Sequence, residues 1–272
     1  MRWKHPPREN SLNKIETLNE SNRNEVLNWL LREPIENALA IQDLRIWPKD
    51  SKFYFLTEPF SYVHVSGHPA HHGSTTISLG GDSAKTMELL NHFQPQAPFV
   101  VRETDAKFAA AIRSYYPATV VYDEIRMDVT RESFKPQHRG QARQLLESDA
   151  ASLAAFFGAP PQAVGRFLGW LKGAKAFYGT FEGEKLAALG SSFIAMPETW
   201  NLVSIATHKD FRGRGFATEV TSALVARGLE ETKTVTVTVV SDNLPALKTY
   251  GKVGFIKSQD RIWADCGANS HP

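Results

Sequence analysis

Three features of the 272-residue chain predict a mixed α/β fold in two similar halves. Helical and strand-like hydrophobic patterns alternate from one end to the other. Each half runs from helices into a strand meander and then through strand–helix–strand steps, a weak internal repeat. Between the halves, TRESFKPQHRGQ breaks the periodicity with charge, Pro136 and Gly140 and reads as a linker. The expected domains are therefore residues 1–130 and 138–272.

In the first half, SNRNEVLNWLLREP places Val26, Leu27, Leu30 and Leu31 at helical spacing, opened by Ser21 or Asn22 and stopped near Pro34. IENALAIQDL predicts a second short helix. KFYFLTEP, SYVHVSG and STTISLGG are strand-like and separated by turn residues. SAKTMELLNHF is helical, PFVVRE a strand, DAKFAAAIRSYY a helix and TVVYDEIRMDV a long strand. In the second half, ARQLLESDAASLAAFFG and AVGRFLGWL predict helices. KAFYGTFEGEKLAALGSSFIA predicts a hairpin turning at Glu182-Gly183-Glu184, and TWNLVSIAT the next strand. A helix follows with Phe216, Val220 and Leu224 on one face, then TVTVTVV with its valines on one side and its threonines on the other. The half closes with a short helix, LPALKTYGKV, and a strand, GFIKSQDRIWA.

Composition narrows the function. With 31 Lys+Arg against 29 Asp+Glu the net charge is +2, too balanced for a nucleic-acid or membrane-surface protein. Cys266 is the single cysteine, which excludes an intramolecular disulfide and reads as an incidental thiol. The first ten residues, MRWKHPPREN, lead into polar sequence without a signal-peptide core, and no apolar run approaches the roughly 18 residues of a membrane helix. A cytoplasmic location is the expectation.

The chemically informative stretch is IATHKDFRGRGFATEVTSALV, a strand, a glycine-containing turn and a helix start. The first N–H groups of a helix lack intrahelical partners and sit at the positive end of its dipole. Gly213 and Gly215 keep side chains out of the approach, so a phosphate can reach those amides. The bland alternatives are a tight connection with two solvated arginines or an RNA-contacting RG segment. The pattern is neither a P-loop nor a dinucleotide fingerprint.

Arg212-x-x-Gly215-x-Ala217 resembles the Arg/Gln-x-x-Gly-x-Gly/Ala signature of the GNAT superfamily of acyl-CoA N-acyltransferases. Downstream, Asn243-x-x-Ala246-x-x-x-Tyr250-x-Lys252-x-Gly254-Phe255 is similar to that family's closing motif. The resemblance covers roughly residues 140 to 265. It implies a GNAT fold, a mixed, mostly antiparallel sheet with helices on both faces, and a catalytic C-terminal domain. It implies that Ile205, Ala206 and Thr207, at the end of a bulged strand, bind the pantetheine arm. It likewise implies that Gly213 to Thr218 (Gly213, Arg214, Gly215, Phe216, Ala217, Thr218) hold the pyrophosphate, with Arg212 and Arg214 adding charge. Asn243 would lie near the cofactor arm, or act only as a helix N-cap. Tyr250 would protonate the departing CoA thiolate, or merely pack the last helix.

The implied activity is acetyl transfer from acetyl-CoA to a primary amine by direct attack in a ternary complex, with no metal. The acceptor is a small-molecule or protein amine, and the chain a monomer or homodimer. Two positions where some family members carry a glutamate base hold Asn201 and Thr238 here, and Lys209 replaces a common proline. Glu198 and His208 are nearby surface residues without a clear claim to that role. The missing glutamates leave open a CoA-binding regulatory or scaffold protein without turnover; an amino-acid N-acyltransferase using a longer acyl-CoA is a further alternative. His68, His71 and His72 in HPAHHG lack a carboxylate or cysteine at ligand spacing and read as a loop. The first half has no such signature and looks like a degenerate GNAT-like unit that shapes the acceptor pocket.

Overall fold

The computed structural model describes residues 15–68, 75–95, 98–116, 119–137 and 140–267. Short strand β1 (Glu16–Thr17) leads into helices α1 (Arg23–Leu30) and α2 (Ala38–Ile46). The meander β2 (Ser51–Thr57), β3 (Phe60–Ser66) and β4 (Thr75–Gly80) follows. Then come α3 (Ser83–Phe93), β5 (Phe99–Asp105), α4 (Ala109–Tyr115) and β6 (Val120–Thr130). The second half repeats this order with β7 (Arg143–Gln144), α5 (Ala150–Phe156), α6 (Val164–Gly173), β8 (Phe177–Glu182), β9 (Lys185–Ala195) and β10 (Trp200–Thr207). It finishes with α7 (Phe216–Glu231), β11 (Thr234–Val240), α8 (Leu244–Val253) and β12 (Ile256–Cys266). Among the described residues, no helix is long and apolar enough to cross a membrane.

Among the described residues, the strands join one sheet in the order β1-β2-β3-β4-β5-β12-β6-β11-β10-β9-β8-β7. Only β4 with β5 and β10 with β11 run parallel; the other neighbours are antiparallel. The order holds an exchange. The first half's last strand, β6, pairs with β11 of the second half along its whole C-terminal part, Glu124 to Thr130. The second half's last strand, β12, pairs with β5 of the first, Arg261 with Asp105 through Cys266 with Phe99. The expected boundary at residues 130–138 thus separates stretches of chain that share one sheet.

The cores follow from alternation. Val235, Val237 and Val239 point with Met127 and Val129 to the face covered by α7 and α8, where Val220, Leu224, Trp200 and Val253 are fully buried. A second core gathers α3, α4, β4 and β5, with Ile262, Ala264 and Cys266 of β12 in it, so the lone cysteine is a core side chain. A third packs α1 and α2 onto Phe53, Phe55 and Tyr62, and takes Ile194 and Met196 from the second half. A fourth lies under α5 and α6 around Phe167 and Leu189.

Two expectations are revised. The helix anticipated over 142–158 is realised only from Ala150 to Phe156. Arg143 and Gln144 join β8 as an edge strand, and the Asp149 carboxylate accepts from the Arg143 guanidinium (2.7 Å) and from the Leu146 N–H (2.8 Å), consuming the start of the helical run. The segment read as a linker is also pinned. Lys135 N–H donates to the Val253 carbonyl (2.9 Å) and Gln137 N–H to Ser222 Oγ (2.9 Å). The buried Glu219 carboxylate accepts from Gln141 N (2.7 Å) and Ala142 N (3.2 Å).

Candidate active site

β10 and β11 run side by side for only three residues, Trp200–Leu202 against Val235–Val237. Beyond Leu202 the two strands part. The cause is a bulge: Ser204 has φ +56°, and the pairing of β10 with β9 skips between Val203 and Ala206 before resuming at Ala206 with Leu189. Ile205, Ala206 and Thr207 therefore keep one neighbour, β9, and turn their other backbone edge toward the opening. Such an edge can hydrogen-bond an extended chain of amides.

The opening leads to the turn. The His208 imidazole accepts at Nδ1 from the Asp210 N–H (3.4 Å), closing a short turn over Lys209–Phe211. Arg212 is extended and exposed, and Gly213 (φ +76°) and Gly215 (φ +87°) reverse the chain into α7. Positive φ alone favours glycine at both positions, whether or not a ligand binds. What points to a ligand is the cap. Gly215 is the N-cap of α7 and brings no side chain to it, so the first-turn amides at Phe216, Ala217 and Thr218 receive no capping oxygen from that residue. Buried contacts along Phe216, Val220 and Leu224 hold the helix rigidly behind that end. A cleft of about 580 Å³ adjoins the turn, between α5, the β8–β9 turn and residues 208–211.

The two arginines differ. Arg214 donates to Glu182 of the β8–β9 turn (2.6 Å) and lies over the rings of Phe211 and Phe216. Its charge is already shared at a half-exposed site, where an ion pair contributes roughly 0–1 kcal/mol. Asn243 is the N-cap of α8, accepting from the Ala246 N–H (3.2 Å), which accounts for its place in the motif by itself. Gly254 ends α8 at φ +101°, and a Cβ there would meet the Ser133 carbonyl oxygen at 2.0 Å. The motif glycine is thus where the inter-half segment crosses the helix end.

Tyr250 lies on α8 in the core under α7 and α8, 6% exposed, its ring beside Phe255 at 5.7 Å. Burial pushes its hydroxyl up to about 12, so it is a fully protonated donor at neutral pH. The hydroxyl therefore keeps its proton in the resting protein and can donate it to a departing sulfur, as the weaker acid of that pair.

On the opposite face of the sheet, Asn201 donates to Thr236 Oγ1 (3.1 Å), so it is occupied as a structural amide. Glu198 is held by both nitrogens of the Arg45 guanidinium (2.8 and 2.9 Å), and this keeps its carboxyl below the usual carboxylate range. Thr238 donates to Glu103, 3.4 Å from either carboxylate oxygen. Glu103 stands on β5, three strand steps from β11. Flat strands that far apart would be separated by roughly 14 Å, beyond the reach of these two side chains. The centre of the sheet is therefore sharply curled, aided by a bulge where Glu103 has φ +48°.

Within that concavity lies a network that sequence reasoning did not find. Glu36, between α1 and α2, accepts from Arg126 (2.6 Å) and from Arg261 (2.8 Å), both nearly fully buried. Arg261 also donates to the Glu103 carbonyl (2.6 Å), and Arg126 to Asp128 (3.1 Å) and Ser258 (3.1 Å). Glu124, 9% exposed, has its carboxyl pushed up to about 7, first by burial and then by the Glu103 charge, against the pull of Arg102 and Arg261. Glu36, Glu103, Glu124 and Arg126 come from the first half and Arg261 from the end of the second, so no local motif could announce them. Of the histidine loop, His68 stacks on Trp47 (3.9 Å between rings), while His71 and His72 lie outside the described residues.

A family model described as FR47-like protein matches residues 177–264, the run from β8 to β12 that carries the bulge, the turn and Tyr250. A comparison with curated protein sequences finds no match. Among solved structures, a Drosophila protein is similar over 94% of this chain and 99% of its own, with a TM-score of 0.71 at 15% identity. A tandem GNAT protein from the clavulanic acid biosynthesis pathway is similar over 95% and 100%, with a TM-score of 0.59 at 12% identity. A GNAT-family acetyltransferase from Colwellia psychrerythraea is similar over 94% and 100%, with a TM-score of 0.57 at 16% identity.

Proposed function

Taking as premise that the protein has the GNAT fold in its tandem form, we propose that its C-terminal half transfers an acyl group, acetyl in the simplest case, from acyl-CoA to a primary amine. The observation that supports this most is one continuous track. The freed edge of β10 at Ile205–Thr207 leads directly to the N-terminus of α7, whose N-cap Gly215 brings no side chain. The first element suits the amides of a pantetheine arm and the second a pyrophosphate. Arg212 adds charge at the rim. Acyl-CoA is here a co-substrate, and thioester chemistry needs no metal.

In the reaction the neutral amine nitrogen attacks the thioester carbonyl in a ternary complex. A C–N bond forms, the C–S bond breaks, and the Tyr250 hydroxyl gives its proton to the leaving sulfur. The proton the new amide nitrogen loses restores the tyrosine. The acceptor, a small-molecule or protein amine, would enter over the polar face bounded by α1 and α2 of the other half. The protein would act as a monomer or homodimer.

A second reading, binding of CoA without turnover, is favoured by one observation: Asn201 and Thr238 stand where a base is expected. Donors longer than acetyl-CoA, as in amino-acid N-acylation, remain within the first. The deciding measurement is thiol release from acetyl-CoA with a set of primary amines, for wild type, Tyr250→Phe and Tyr115→Phe. Tyr115 sits near the end of the first half's last helix, as Tyr250 does in the second, but is 48% exposed. Tyr250→Phe is expected to lose about 10²–10⁴ in turnover with CoA affinity kept, and Tyr115→Phe to lose nothing. A loss below about threefold at Tyr250 leaves it a packing residue. CoA binding with no release from any amine favours the second reading.

A further inference from the structure

The strand exchange places acidic side chains of the first half beside the second half's opening. β6 runs along β11, and Glu124 is the cross-strand partner of Val240, as Arg126 is of Thr238. Paired residues share a face, and so do residues two apart. Glu124, Arg126, Thr238 and Val240 therefore lie on the face opposite the α7–α8 core. This stretch of β11 lies beyond Val237, where pairing with β10 has ended. From the other side of the curl, Glu103 reaches the same spot through its contact with the Thr238 hydroxyl.

We propose that the first half provides the base for the second half's reaction: Glu124 takes the proton of the acceptor ammonium, with Glu103 as the neighbouring negative charge. This rests on the acyltransferase reading. The ammonium gives one proton to the Glu124 carboxylate, leaving a neutral amine and a carboxylic acid. The amine then attacks the thioester, and the acid returns its proton to water between turnovers. Position 238 need carry no glutamate, because its hydroxyl is held by one that arrives from β5.

The charges around Glu124 come from each packed element. β5 brings Arg102 and Glu103, β12 brings Arg261, and β6 itself Arg126; β11 offers only the uncharged Thr238 and Val240. Glu36 bridges Arg126 and Arg261, one carboxylate oxygen to each. Burial and the adjacent Glu103 outweigh the arginines and hold the Glu124 carboxyl at about 7, the range in which a base works best at neutral pH.

The test measures kcat/KM against pH by thiol release from acetyl-CoA with small primary amines, for wild type, Glu124→Gln and Glu103→Gln. Wild type should show an ascending limb centred near pH 7. Glu124→Gln should lose about 10²-fold and that limb with it, while binding CoA as before. Glu103→Gln removes a like charge, so its limb should move to lower pH. A purely structural carboxylate would move neither limb. A second readout needs no substrate. Because the Glu124 carboxyl is raised in the folded state, the unfolded chain releases its proton first. On this account stability falls as pH rises from about 4.5 to 7. The fall should vanish in Glu124→Gln. A Glu124→Gln protein with the wild-type pH profile overturns the proposal and leaves the acyltransferase reading standing. Wild type that binds CoA yet releases no thiol with any amine overturns both. Should Glu124→Gln not fold, the Glu103→Gln limb decides alone, and an unmoved limb overturns the proposal.

Discussion

The two halves open their sheets in the same way and close them differently. In the second, β10 leaves β11 after Leu202; in the first, β4 pairs with β5 from Thr75 to Ile77 and then diverges as well. Past that point the second half spends residues 208–215 on a turn that delivers the start of α7 without a capping side chain. The first spends only Gly81 and Asp82, and the Asp82 carboxylate caps α3 by accepting from the Lys85 N–H (3.0 Å). The divergence in the first half is filled too, the Thr104 hydroxyl accepting from the Leu79 N–H (3.3 Å). A carboxylate at a helix N-terminus takes the place that a phosphate would occupy and repels it. The splayed strands are common to both halves; what differs is the turn that follows and the residue that caps the next helix.

The largest effect that can break this comparison comes from separating the halves. Residues 138–272 alone lack β6, which flanks both β11 and β12; residues 1–137 lack β12, which carries Ile262, Ala264 and Cys266 into the first half's core. Each half alone is expected to show no cooperative unfolding transition in urea, whereas the two co-expressed should purify as one complex. An isolated second half that unfolds cooperatively and binds CoA would show that the exchange is dispensable.

A smaller change makes one half imitate the other. Thr218→Glu adds a second carboxylate to the first turn of α7, where Glu219 is buried and already accepts from the Gln141 and Ala142 N–H groups. Acid at that position favours the helix by about 0.3–1 kcal/mol, so melting should change little. Affinity for CoA by calorimetry should nonetheless drop by about 10²-fold, some 2.7 kcal/mol. Unchanged affinity in a folded Thr218→Glu would remove the α7 N-terminus from the candidate site.

The smallest effect separates the two arginines. Each interaction at such an exposed position is worth up to about 1 kcal/mol, so alanine should weaken CoA binding by no more than about fivefold. Arg212→Ala is expected to cost more than Arg214→Ala, since Glu182 already holds Arg214. Both losses should shrink as salt rises, because exposed charges are screened within about 8 Å at physiological ionic strength. The reverse ranking would place the phosphates on the Arg214 side.

The sequence by itself determined the order of elements, the mixed fold and the positions that carry the second half's motif. These are local properties. Alternation in TVTVTVV sets which face of β11 is apolar, the apolar spacing of Phe216, Val220 and Leu224 sets the buried side of α7, and glycine at 213 and 215 follows from backbone that must take positive φ. One local reading failed: Arg143 and Gln144 pair with β8 before Ala150, a tertiary contact that helical propensity does not encode. Tertiary structure alone decided which strands are neighbours. Two similar halves present equivalent edges, so hydrophobic pattern cannot say whether β6 closes its own sheet or the other's. That choice buries Glu36 against Arg126 and Arg261, residues 90 and 225 positions away in the chain. It also sets Glu103 against Thr238. Electrostatics of this kind depends on distance in space, and distance along the chain carries no trace of it.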